Sequence, residues 1–357
     1  MIFLFVLGLV FGTSKDEAFA VQLAQQGHLE LAAINRATLK AYLQALTDFV
    51  EFAKFAPRPR ERTGRARMDK LLSLYFNSLF ISSKPSLQTA NNAFSGVLAF
   101  RPELKGHLSL SHRTLKAFEK RRPPRERGPW SDRGVGSIAQ QMLDDGEFEA
   151  SLITCWQFLT FGREQDWKRL RTNDLAFSLD ASSSPYAVAI KLGVQERGES
   201  TKTGFNQGID VAPPENLLFV LVAMQLLVES RRQRRRRHDA RVFELSPSQY
   251  RKIWRSAAKK LGLPPDPPHV LRHAGASHFY QLWQAQGLDA LRRVQIQGRW
   301  KSLKSVKRYT KTFLIAHFDA KVSEAVLRSG ATFWQQQARF LQRIRLWILG
   351  LAIKAVL

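Results

Sequence analysis

The segment PHVLRHAGASHFY, residues 268–280, contains two side chains that could handle a phosphate group. His269 and Arg272 stand one helical turn apart, directly after the run PPDPP at 264–268. An imidazole can exchange a proton near neutral pH, and a guanidinium stays charged and can bind two oxygens at once. Proline is typical of helix starts, so the spacing predicts a helix that opens with both groups near one another. The pair indicates either phosphate chemistry or a satisfied polar surface.

A metal site is another interpretation, because His269 and His273 are four residues apart. The zinc-protease motif HExxH has glutamate directly after its first histidine, where this chain has Val270. Cys155 is the single cysteine, which excludes an internal disulfide framework and a cluster of cysteine ligands. We therefore predict no metal and no cofactor.

Further candidate side chains stand on both sides of this helix. Upstream, FLTFGREQDW contains Arg163 and, one turn later, Asp166, and the turn ESTKTG contains Lys202. Downstream, QGRWKSLKSVKRYTK contains Trp300 and, nine residues on, Tyr309. A tyrosine hydroxyl can act as a covalent nucleophile when a base or a positive site activates it. Each residue alone is weak evidence, so the argument depends on their order.

That order resembles the tyrosine recombinase (phage integrase) family. The family is recognised by an arginine, a β-hairpin lysine, the motif His-x-x-Arg, a histidine or tryptophan, and a nucleophilic tyrosine. The resemblance extends roughly from Asn35 to Phe318, and VLRHAGASH and GRWKSLKSVKRYTK also match in their surroundings. The residues that it assigns to catalysis are Arg163, Lys202, His269, Arg272, Trp300 and Tyr309.

The resemblance implies a role for each of these groups. Arg163 and Arg272 would bind the non-bridging oxygens of a phosphodiester, where negative charge grows in the transition state. Tyr309 would attack phosphorus and leave a 3′-phosphotyrosyl link with a free 5′-hydroxyl. Because a phenol titrates at about pH 10, it needs a base, and His269 would accept its proton. Lys202 would protonate the departing 5′ oxygen.

Three further side chains have supporting or alternative roles. Trp300 would donate its indole N–H to a phosphate oxygen or pack against the helix of the nucleophile. Asp166 would orient Arg163 or His269 rather than react. His273 would support the site from its position next to the second arginine, and its alternative role is helix packing.

The chain departs from the family's pattern at two points. The family more often has glutamate where this chain has Asp166, and more often has Gly-x-Arg than the adjacent pair Gly162 and Arg163. The hairpin lysine also has an alternative, because Lys191 lies in the preceding predicted strand whereas Lys202 lies in the turn. These departures concern the fine geometry rather than the reaction class.

The charge of the chain predicts an anionic partner. Its 357 residues contain 55 Lys and Arg against 30 Asp and Glu, a net charge of +25. Such an excess creates a long-range positive field, whose usual partner is nucleic acid or an anionic membrane surface. Since 44% of the residues are hydrophobic, the chain can also bury a core and is not generally disordered. We predict double-stranded DNA as the partner, and no membrane.

Periodicity divides the chain into a helical first part and a mixed second part. Helical spacing continues through 35–120, and the Pro- and Gly-rich residues 121–134 predict a basic linker. Beyond it, PYAVAIKLGV and FNQGIDVAP predict two strands of a hairpin. By the resemblance, residues 35–120 form a helical core-binding (DNA-binding) domain and residues 135–320 the catalytic domain. The predicted fold is mainly α with a small antiparallel β-sheet in the second domain.

Two basic runs are candidate phosphate contacts. The first is the loop PRPRERTGRAR at 57–67, and the second is the run at 231–237, with six arginines in seven residues. For the second run, a solvated helix end and a nuclear localisation signal are the alternatives to DNA contact. Backbone contacts predict strong salt dependence and little sequence discrimination. The predicted DNA-binding residues are Arg58, Arg60, Arg62, Arg65, Arg67, Arg234, Arg235 and Arg236.

Both chain ends are apolar. Residues 1–34 begin with MIFLFVLGLVFG, which is too short to span a bilayer and lacks the positive start of a signal peptide. A packing helix or a gene-model artefact is therefore favoured over a signal.

Residues 321–357 predict a helical C-terminal tail. The tail packs either on its own domain or, as the resemblance suggests, on a neighbouring protomer. The second arrangement would assemble a tetramer on two DNA sites.

The resemblance thus predicts a site-specific DNA recombinase or integrase. The alternatives are a catalytically inactive, domesticated recombinase that binds DNA, a nicking-closing enzyme similar to type IB topoisomerases, and a basic protein anchored to a membrane surface by its apolar ends. The arginine run predicts the nucleus if the host is a eukaryote. Otherwise we expect the cytoplasm, with the nucleoid.

Overall fold

A computed structural model describes residues 34, 36–57, 59–123, 128–199, 201, 204–235 and 239–356 of the chain. In the helices, the side chains of residues 234, 235 and 352–356 lie outside this description. The chain divides into two compact units, Met1–Glu126 and Arg127–Leu357, and each is described by itself. The division falls inside the segment 121–134 that composition predicts to be a linker.

The first unit is helical throughout its described part. Thr63 and Ser86 precede two of the helices, and their hydroxyls accept the N–H groups of Ala66 and Thr89, which leaves fewer unpaired donors at the helix starts. The helices are α1 (Arg36–Phe55), α2 (Gly64–Ile81), α3 (Leu87–Phe100) and α4 (Ser109–Arg121).

The helices of the first unit pack around a small apolar core. Leu72 and Phe76 of α2 are fully buried within it. Asp69, also buried, accepts the N–H groups of Leu110 and Ser111 at 2.9 and 2.7 Å. A carboxylate from α2 therefore supplies the acceptor that the start of α4 needs, and the two helices are joined.

The second unit combines many helices with one small sheet. The helices before and within the sheet region are α5 (Asp132–Asp144), α6 (Phe148–Thr160), α7 (Glu164–Arg169) and α8 (Leu218–Arg235), and the strands are β1 (Leu175–Leu179), β2 (Pro185–Leu192) and β3 (Gln207–Val211). The later helices are α9 (Pro247–Lys260), α10 (Val270–Ala285), α11 (Ala290–Gly298), α12 (Leu303–Lys307), α13 (Phe313–Asp319), α14 (Glu324–Gln335) and α15 (Gln337–Val356).

The sheet is antiparallel with the order β1-β2-β3. Val188 and Ile190 of β2 alternate with more exposed neighbours, and Ile190 pairs with Ile209 of β3, so one face is buried. The two predicted strands are confirmed as β2 and β3. Strand β1 is an addition, because it is only five residues long and its side chains are mostly exposed. The predicted fold class, mainly α with a small antiparallel sheet, is confirmed.

Helix α6 forms the centre of the second unit, since its residues from Ala150 to Thr160 are all buried. Helix α10 approaches α6 closely at Gly275, where an added Cβ would collide with the carbonyl oxygen of Phe158. The close approach brings the start of α10, which follows His269, towards the end of α6, which precedes Arg163. The two sequence segments with candidate chemistry are thereby neighbours in space.

The predicted linker is shorter in the structure than 121–134. Helix α4 continues to Arg121, and α5 begins at Asp132 after the N-cap Ser131. Trp130 is buried and stacks on Trp254 and Phe318, with ring centroids 5.1 and 5.2 Å apart. The residues from Trp130 onward therefore belong to the packed second unit, because a large indole has found an aromatic site there.

The C-terminal tail packs on its own unit. Helix α14 lies against α5 so closely that an added Cβ at Gly330 would collide with the carbonyl oxygen of Arg133. In α15, Phe340 and Ile344 are buried, and the Phe340 ring lies 5.1 Å from that of Phe219 in α8. Of the two interpretations of this tail, packing within the chain therefore accounts for its buried face.

The described helices differ in length and hydropathy, the two properties that decide whether a helix can span a bilayer. None of them is long and apolar enough to cross a membrane. The apolar residues 1–33 lie outside the described residues.

Candidate functional site

Arg163 stands at the junction between α6 and α7. Phe161 ends α6 in the left-handed conformation, with φ of 50°, and turns the chain so that Arg163 becomes the N-cap residue of α7. The Arg163 backbone N–H donates to Oδ2 of Asp166 at 2.7 Å. The Asp166 carboxylate, one turn after Arg163, thus caps the start of the short helix α7.

Arg272 is fully buried in the first turn of α10. Its Nη1 donates to the carbonyl oxygen of Phe161, and its Nη2 donates to that of Gly298 at 2.6 Å. Burial, together with the nearby positive charges of Arg163 and Arg299, lowers the pKa of Arg272 to about 9. The side chain therefore ties together the ends of α6 and α11 and keeps a positive charge in a dry environment.

Trp300 covers the guanidinium of Arg272. The Arg272 Cζ atom lies 4.2 Å from the Trp300 ring centroid, and the Tyr309 ring lies 4.7 Å from the same indole. Arg272 Cζ is 5.4 Å from the Tyr309 centroid. An added Cβ at Gly298 would collide with the Trp300 ring, so glycine is needed at the end of α11. Three candidate residues distant in sequence thus share one aromatic and cationic cluster.

Tyr309 is held by its backbone. It follows the short helix α12, its N–H donates to the carbonyl oxygen of Val306 at 2.7 Å, and Val306 itself is fully buried. The hydroxyl of Ser277 in α10 donates to the Tyr309 carbonyl oxygen at 2.8 Å. The ring is half-buried. The tyrosine backbone is therefore anchored to the helix that contains Arg272, whereas its ring keeps access to the surface.

The two histidines of α10 differ in their relation to this tyrosine. His269, at the helix start, is exposed, and its ring centroid lies 6.3 Å from that of Tyr309. The His273 ring stacks on the Tyr309 ring at 4.3 Å, with 28° between the planes. His273, predicted only as a supporting residue, is thus the histidine in direct ring contact, and His269 stands at the edge of the cluster.

Arg299 is a site residue that sequence reasoning missed. Its side chain is 6% exposed, and its Nη2 forms an ion pair with Oδ2 of Asp166. Its backbone is left-handed, with φ of 55°. The signal was present in GRW, where an arginine stands directly before Trp300, but a basic residue in a basic chain suggests an exposed side chain. Asp166, predicted to orient Arg163 or His269, binds the Arg163 backbone N–H and the Arg299 side chain, and its orienting role stays a prediction.

The three arginines form a buried positive cluster, which we call the arginine cluster: Arg163, Arg272 and Arg299, with Asp166 as its carboxylate. Burial lowers the pKa of Arg163, the charge of Asp166 partly opposes this effect, and the charge of Arg299 acts in the same direction as burial. Several buried N–H groups have no hydrogen-bond partner among the described residues, namely Nη1 of Arg163, Nε of Arg272, and Nε and Nη1 of Arg299. Unpaired charged donors in a dry site are costly, and an oxyanion would satisfy them.

Several predicted residues do not enter this cluster. Lys202 lies outside the described residues, so the predicted hairpin lysine has no structural account. The alternative, Lys191 of β2, is exposed and lies 3.8 Å from a carboxylate oxygen of Glu196. Within the described part of the chain, no group of three or more His, Cys, Asp or Glu is arranged to hold a metal ion.

The basic loop of the first unit is exposed where it is described. Arg60, Arg62, Arg65 and Arg67 all have exposed side chains, and Arg65 Nη1 lies 3.2 Å from Nε2 of His107. Arg58 lies outside the described residues. These side chains are available to a phosphate backbone, and their role stays a prediction.

The second basic run divides into a structural and an unassigned part. Arg231 is fully buried, with Nη1 2.7 Å from Glu244 and Nη2 3.5 Å from Glu149, and its Nε donates to the Val242 carbonyl oxygen. The interpretation of 231–237 as one DNA-contacting run is therefore wrong at its first residue, because two carboxylates neutralise that charge inside the fold. Helix α8 continues through Arg234 and Arg235, whose side chains are not described, and Arg236 is outside the described residues.

Comparison with known proteins gives a result at the level of structure. No protein-family model and no curated protein sequence matches the chain. Among solved structures, it is similar to the Tn1549 transposon integrase in complex with circular intermediate DNA, with a TM-score of 0.54 and 14% identity over 85% of this chain and 98% of that chain. It is also similar to a lambda integrase dimer bound to a COC′ core site, with a TM-score of 0.50 and 17% identity over 83% of this chain and 94% of that chain. The chain therefore has the fold of the tyrosine recombinases and integrases.

Proposed function

We propose that the protein is a tyrosine-type DNA strand transferase, a site-specific recombinase or integrase that cuts and rejoins DNA through Tyr309. The observation that carries the proposal is the contact of Tyr309 with Trp300 beside the buried guanidinium of Arg272. A phenol needs a positive environment to become a nucleophile at neutral pH. The arginine cluster supplies that environment and has unpaired donors for a phosphate.

The proposed reaction begins with the Tyr309 phenol at the scissile phosphate. Its oxygen forms a bond to phosphorus, the bond from phosphorus to the 5′ oxygen breaks, and a 3′-phosphotyrosyl link remains. Arg163 and Arg272 bind the non-bridging oxygens and stabilise the additional charge of the transition state. His269 accepts the phenol proton, and Lys202 gives a proton to the departing 5′ oxygen. The reverse reaction with another 5′-hydroxyl rejoins the strand, so no external energy source is needed.

The histidine that accepts the proton has an alternative in this site. His273 stacks on the tyrosine ring, whereas His269 is exposed and more distant. A stacked imidazole faces the ring and not the hydroxyl, so this contact suits orientation better than proton transfer. His269, at the rim of the cluster, can reach the phenolic oxygen once DNA has reoriented the ring. We therefore keep the base with His269 and assign His273 to orientation.

Double-stranded DNA is the proposed partner. The net charge of +25 favours it, and so do the exposed arginines at 60, 62, 65 and 67 in the first unit. The solved structures of similar fold are described as an integrase with circular intermediate DNA and a dimer on a core site. We propose assembly as a tetramer on two DNA sites, and the nucleus or nucleoid as its location.

The test is covalent trapping on nicked duplexes drawn from DNA that flanks the gene. A nick lets the short 5′ fragment diffuse away, so a phosphotyrosyl intermediate accumulates. The duplexes carry a label on the strand that should become joined to the protein. We expect an SDS-resistant band with the wild type and none with Tyr309→Phe. The matched control is Tyr280→Phe, which removes a half-buried hydroxyl from α10 and should leave the band intact.

Three outcomes would contradict the proposal. A band that persists in Tyr309→Phe would assign the nucleophile to another residue. Tight, salt-sensitive binding without any band, on flanking and random nicked duplexes alike, would favour a DNA-binding protein without strand transfer. Relaxation of supercoiled plasmid by a monomer, with a Tyr309-dependent band, would instead indicate a nicking-closing enzyme.

A further inference from the structure

The carboxylate of Asp166 has two partners in the arginine cluster, and neither is the guanidinium of Arg163. Its Oδ2 accepts the backbone N–H of Arg163 at 2.7 Å and pairs with Nη2 of Arg299. The Asp166 side chain is 10% exposed, so water does not supply a strong alternative partner. Nη1 of Arg163, by contrast, is buried and has no hydrogen-bond partner among the described residues.

This arrangement is not the one that Asp166 and Arg163 would adopt by themselves. The two residues are three positions apart at the start of α7, a spacing at which a carboxylate and a guanidinium can pair directly. A buried carboxylate seeks a cation, because an unpaired charge in a dry site is strongly unfavourable. Without Arg299, the nearest available cation on the same turn is therefore Arg163 itself. That pairing would occupy the donors that a phosphate needs.

The backbone at Arg299 indicates that its side chain serves a purpose. A φ of 55° is a left-handed conformation, which glycine adopts freely and which costs other residues energy. The position has room for that side chain because it extends to Asp166, 133 residues earlier in the chain. Its Nε and Nη1 are also buried and unpartnered in the described part of the chain, so the ion pair with Asp166 alone holds it.

The net charge of the arginine cluster also indicates a role for Arg299. Arg163, Arg272 and Arg299 with Asp166 carry a net charge of two positives around the Tyr309 ring. Loss of Arg299 would leave one net positive charge and a carboxylate facing the site, which would repel a phosphate and bind Arg163. Loss of both Arg299 and Asp166 would return the net charge to two positives and free Arg163 again.

We propose that Arg299 is a positioning residue of the phosphate site, which neutralises the Asp166 carboxylate and keeps it from pairing with the Arg163 guanidinium, so that this guanidinium stays available to a phosphodiester. The identity of the bound group rests on the proposed function, and the charge arrangement does not. Arg299 acts through Asp166, and a contact with the reacting phosphate is not required. The defect of an Arg299 variant should therefore disappear when Asp166 is neutralised as well.

The experiment compares Arg299→Gly, Asp166→Asn and the double variant with the wild type. Glycine suits the left-handed backbone and removes the side chain. The first readout is the rate at which the nicked duplex becomes covalently attached. The second is binding of inorganic sulfate by calorimetry, taken as the difference from Arg163→Gln, which removes the site-specific part. The matched control is a second ion pair of α7, in which Glu164 at the start of the helix lies 3.1 Å from the exposed Arg251 of α9, replaced as Arg251→Ala and Glu164→Gln.

We expect Arg299→Gly to lower both readouts roughly tenfold or more, and the double variant to recover to within about threefold of the wild type. Arg299→Lys should retain most of the function, because it keeps the charge. The control pair should change neither readout. Where Arg299→Gly fails to fold, as judged by circular dichroism, Arg299→Asn replaces it, since asparagine also tolerates the left-handed conformation.

A double variant as impaired as Arg299→Gly would overturn the proposal, because it would mean that Arg299 acts structurally or contacts the phosphate itself. A wild type that never forms the covalent band would contradict the proposed function instead. In that case the sulfate measurement still decides whether Arg299 masks Asp166, so the two failures are distinguishable.

Discussion

The guanidinium of Arg272 lies over the indole of Trp300, with Cζ 4.2 Å from the ring centroid, and both groups are buried. A cation against an aromatic face in a dry site contributes about 2 kcal/mol. The same indole also contacts the ring of Tyr309, which is half-buried. Trp300 therefore connects the buried charge to the proposed nucleophile by packing. The expected alternative, donation of its N–H to a phosphate oxygen, remains a prediction.

Replacement of Trp300 tests this packing role. Trp300→Ala should lower the free energy of unfolding by roughly 3–5 kcal/mol, because it leaves a cavity and removes the aromatic face from Arg272. Trp300→Phe should cost markedly less, since it keeps a ring. Urea unfolding followed by circular dichroism measures both. Equal losses in the two variants would contradict this packing role, because phenylalanine keeps an aromatic face and more of the volume than alanine does.

Gly298 should be intolerant of any side chain. Its Cβ would collide with the Trp300 ring, and its carbonyl oxygen accepts a hydrogen bond from Arg272, so Gly298→Ala must displace one of them. We expect a loss of about 1–3 kcal/mol in stability and a changed near-ultraviolet spectrum of the tryptophans. Gly350→Ala in α15 is the control, because an added methyl there meets no atom within 4 Å. It should leave the protein as stable or slightly more stable.

Arg231 should behave as a structural residue although it begins the basic run. Arg231→Met leaves Glu149 and Glu244 without their cation, and we expect a loss of roughly 3–5 kcal/mol at neutral pH. Arg231→Met combined with Glu149→Gln should regain part of that loss, since it removes one buried carboxylate. Chemical denaturation measures these differences. A fully stable Arg231→Met protein with weakened DNA binding would restore the interpretation of Arg231 as a phosphate contact.

Glu149 should give the stability a defined pH dependence. Burial raises the pKa of its carboxyl in the folded protein above the ordinary value. The folded state therefore binds that proton more tightly than the unfolded state, and the associated stability is lost as the pH rises through the folded pKa. Relative to Glu149→Gln, the wild type should become less stable as the pH rises above the ordinary pKa of a glutamate, about 4.3.

The carboxyl of Asp180 supplies a control of opposite sign. Hydrogen bonds from Ser182 and Ser184 lower its pKa, so the wild type should gain stability relative to Asp180→Asn as the pH rises. Unfolding measured at matched pH values compares the two pairs. The same pH trend in both pairs would contradict the assignment to local environments.

The exposed arginines of the first unit should set the salt dependence of DNA binding. If each of the residues 60, 62, 65 and 67 contacts one phosphate, their replacement by alanine should lower the slope of log K against log salt by about 3 to 4. Fluorescence anisotropy with a labelled duplex over a range of salt concentrations gives that slope.

A variant with the same charge loss elsewhere controls for the general field of the protein. Exposed basic residues on the C-terminal segments provide it, namely Lys321, Arg328, Arg339 and Arg345. An equal reduction of the slope in both variants would mean that the loop has no special contact with DNA.

Much of the fold could be predicted from sequence because it depends on local spacing. The strands β2 and β3 alternate apolar residues with a period of two, and the helices of both units show a period near 3.6. Strand β1 escaped prediction because its side chains are mostly exposed and its place is given by pairing with β2. The packing of Trp130 into the second unit escaped as well, since a tryptophan in a proline-rich segment finds its aromatic partners only after folding.

The sequence by itself determined the types and the order of the candidate residues, from Arg163 to Tyr309, and the class of chemistry that they indicate. Only the tertiary structure decided which charges meet. It paired Arg299 with Asp166, buried Arg231 between Glu149 and Glu244, and stacked His273 rather than His269 on the tyrosine. The physical reason is that charge pairing and burial depend on residues far apart in the chain, whereas periodicity reports only on neighbours. In a basic chain, the sequence alone does not distinguish an arginine that is exposed to DNA from one that is buried in the fold.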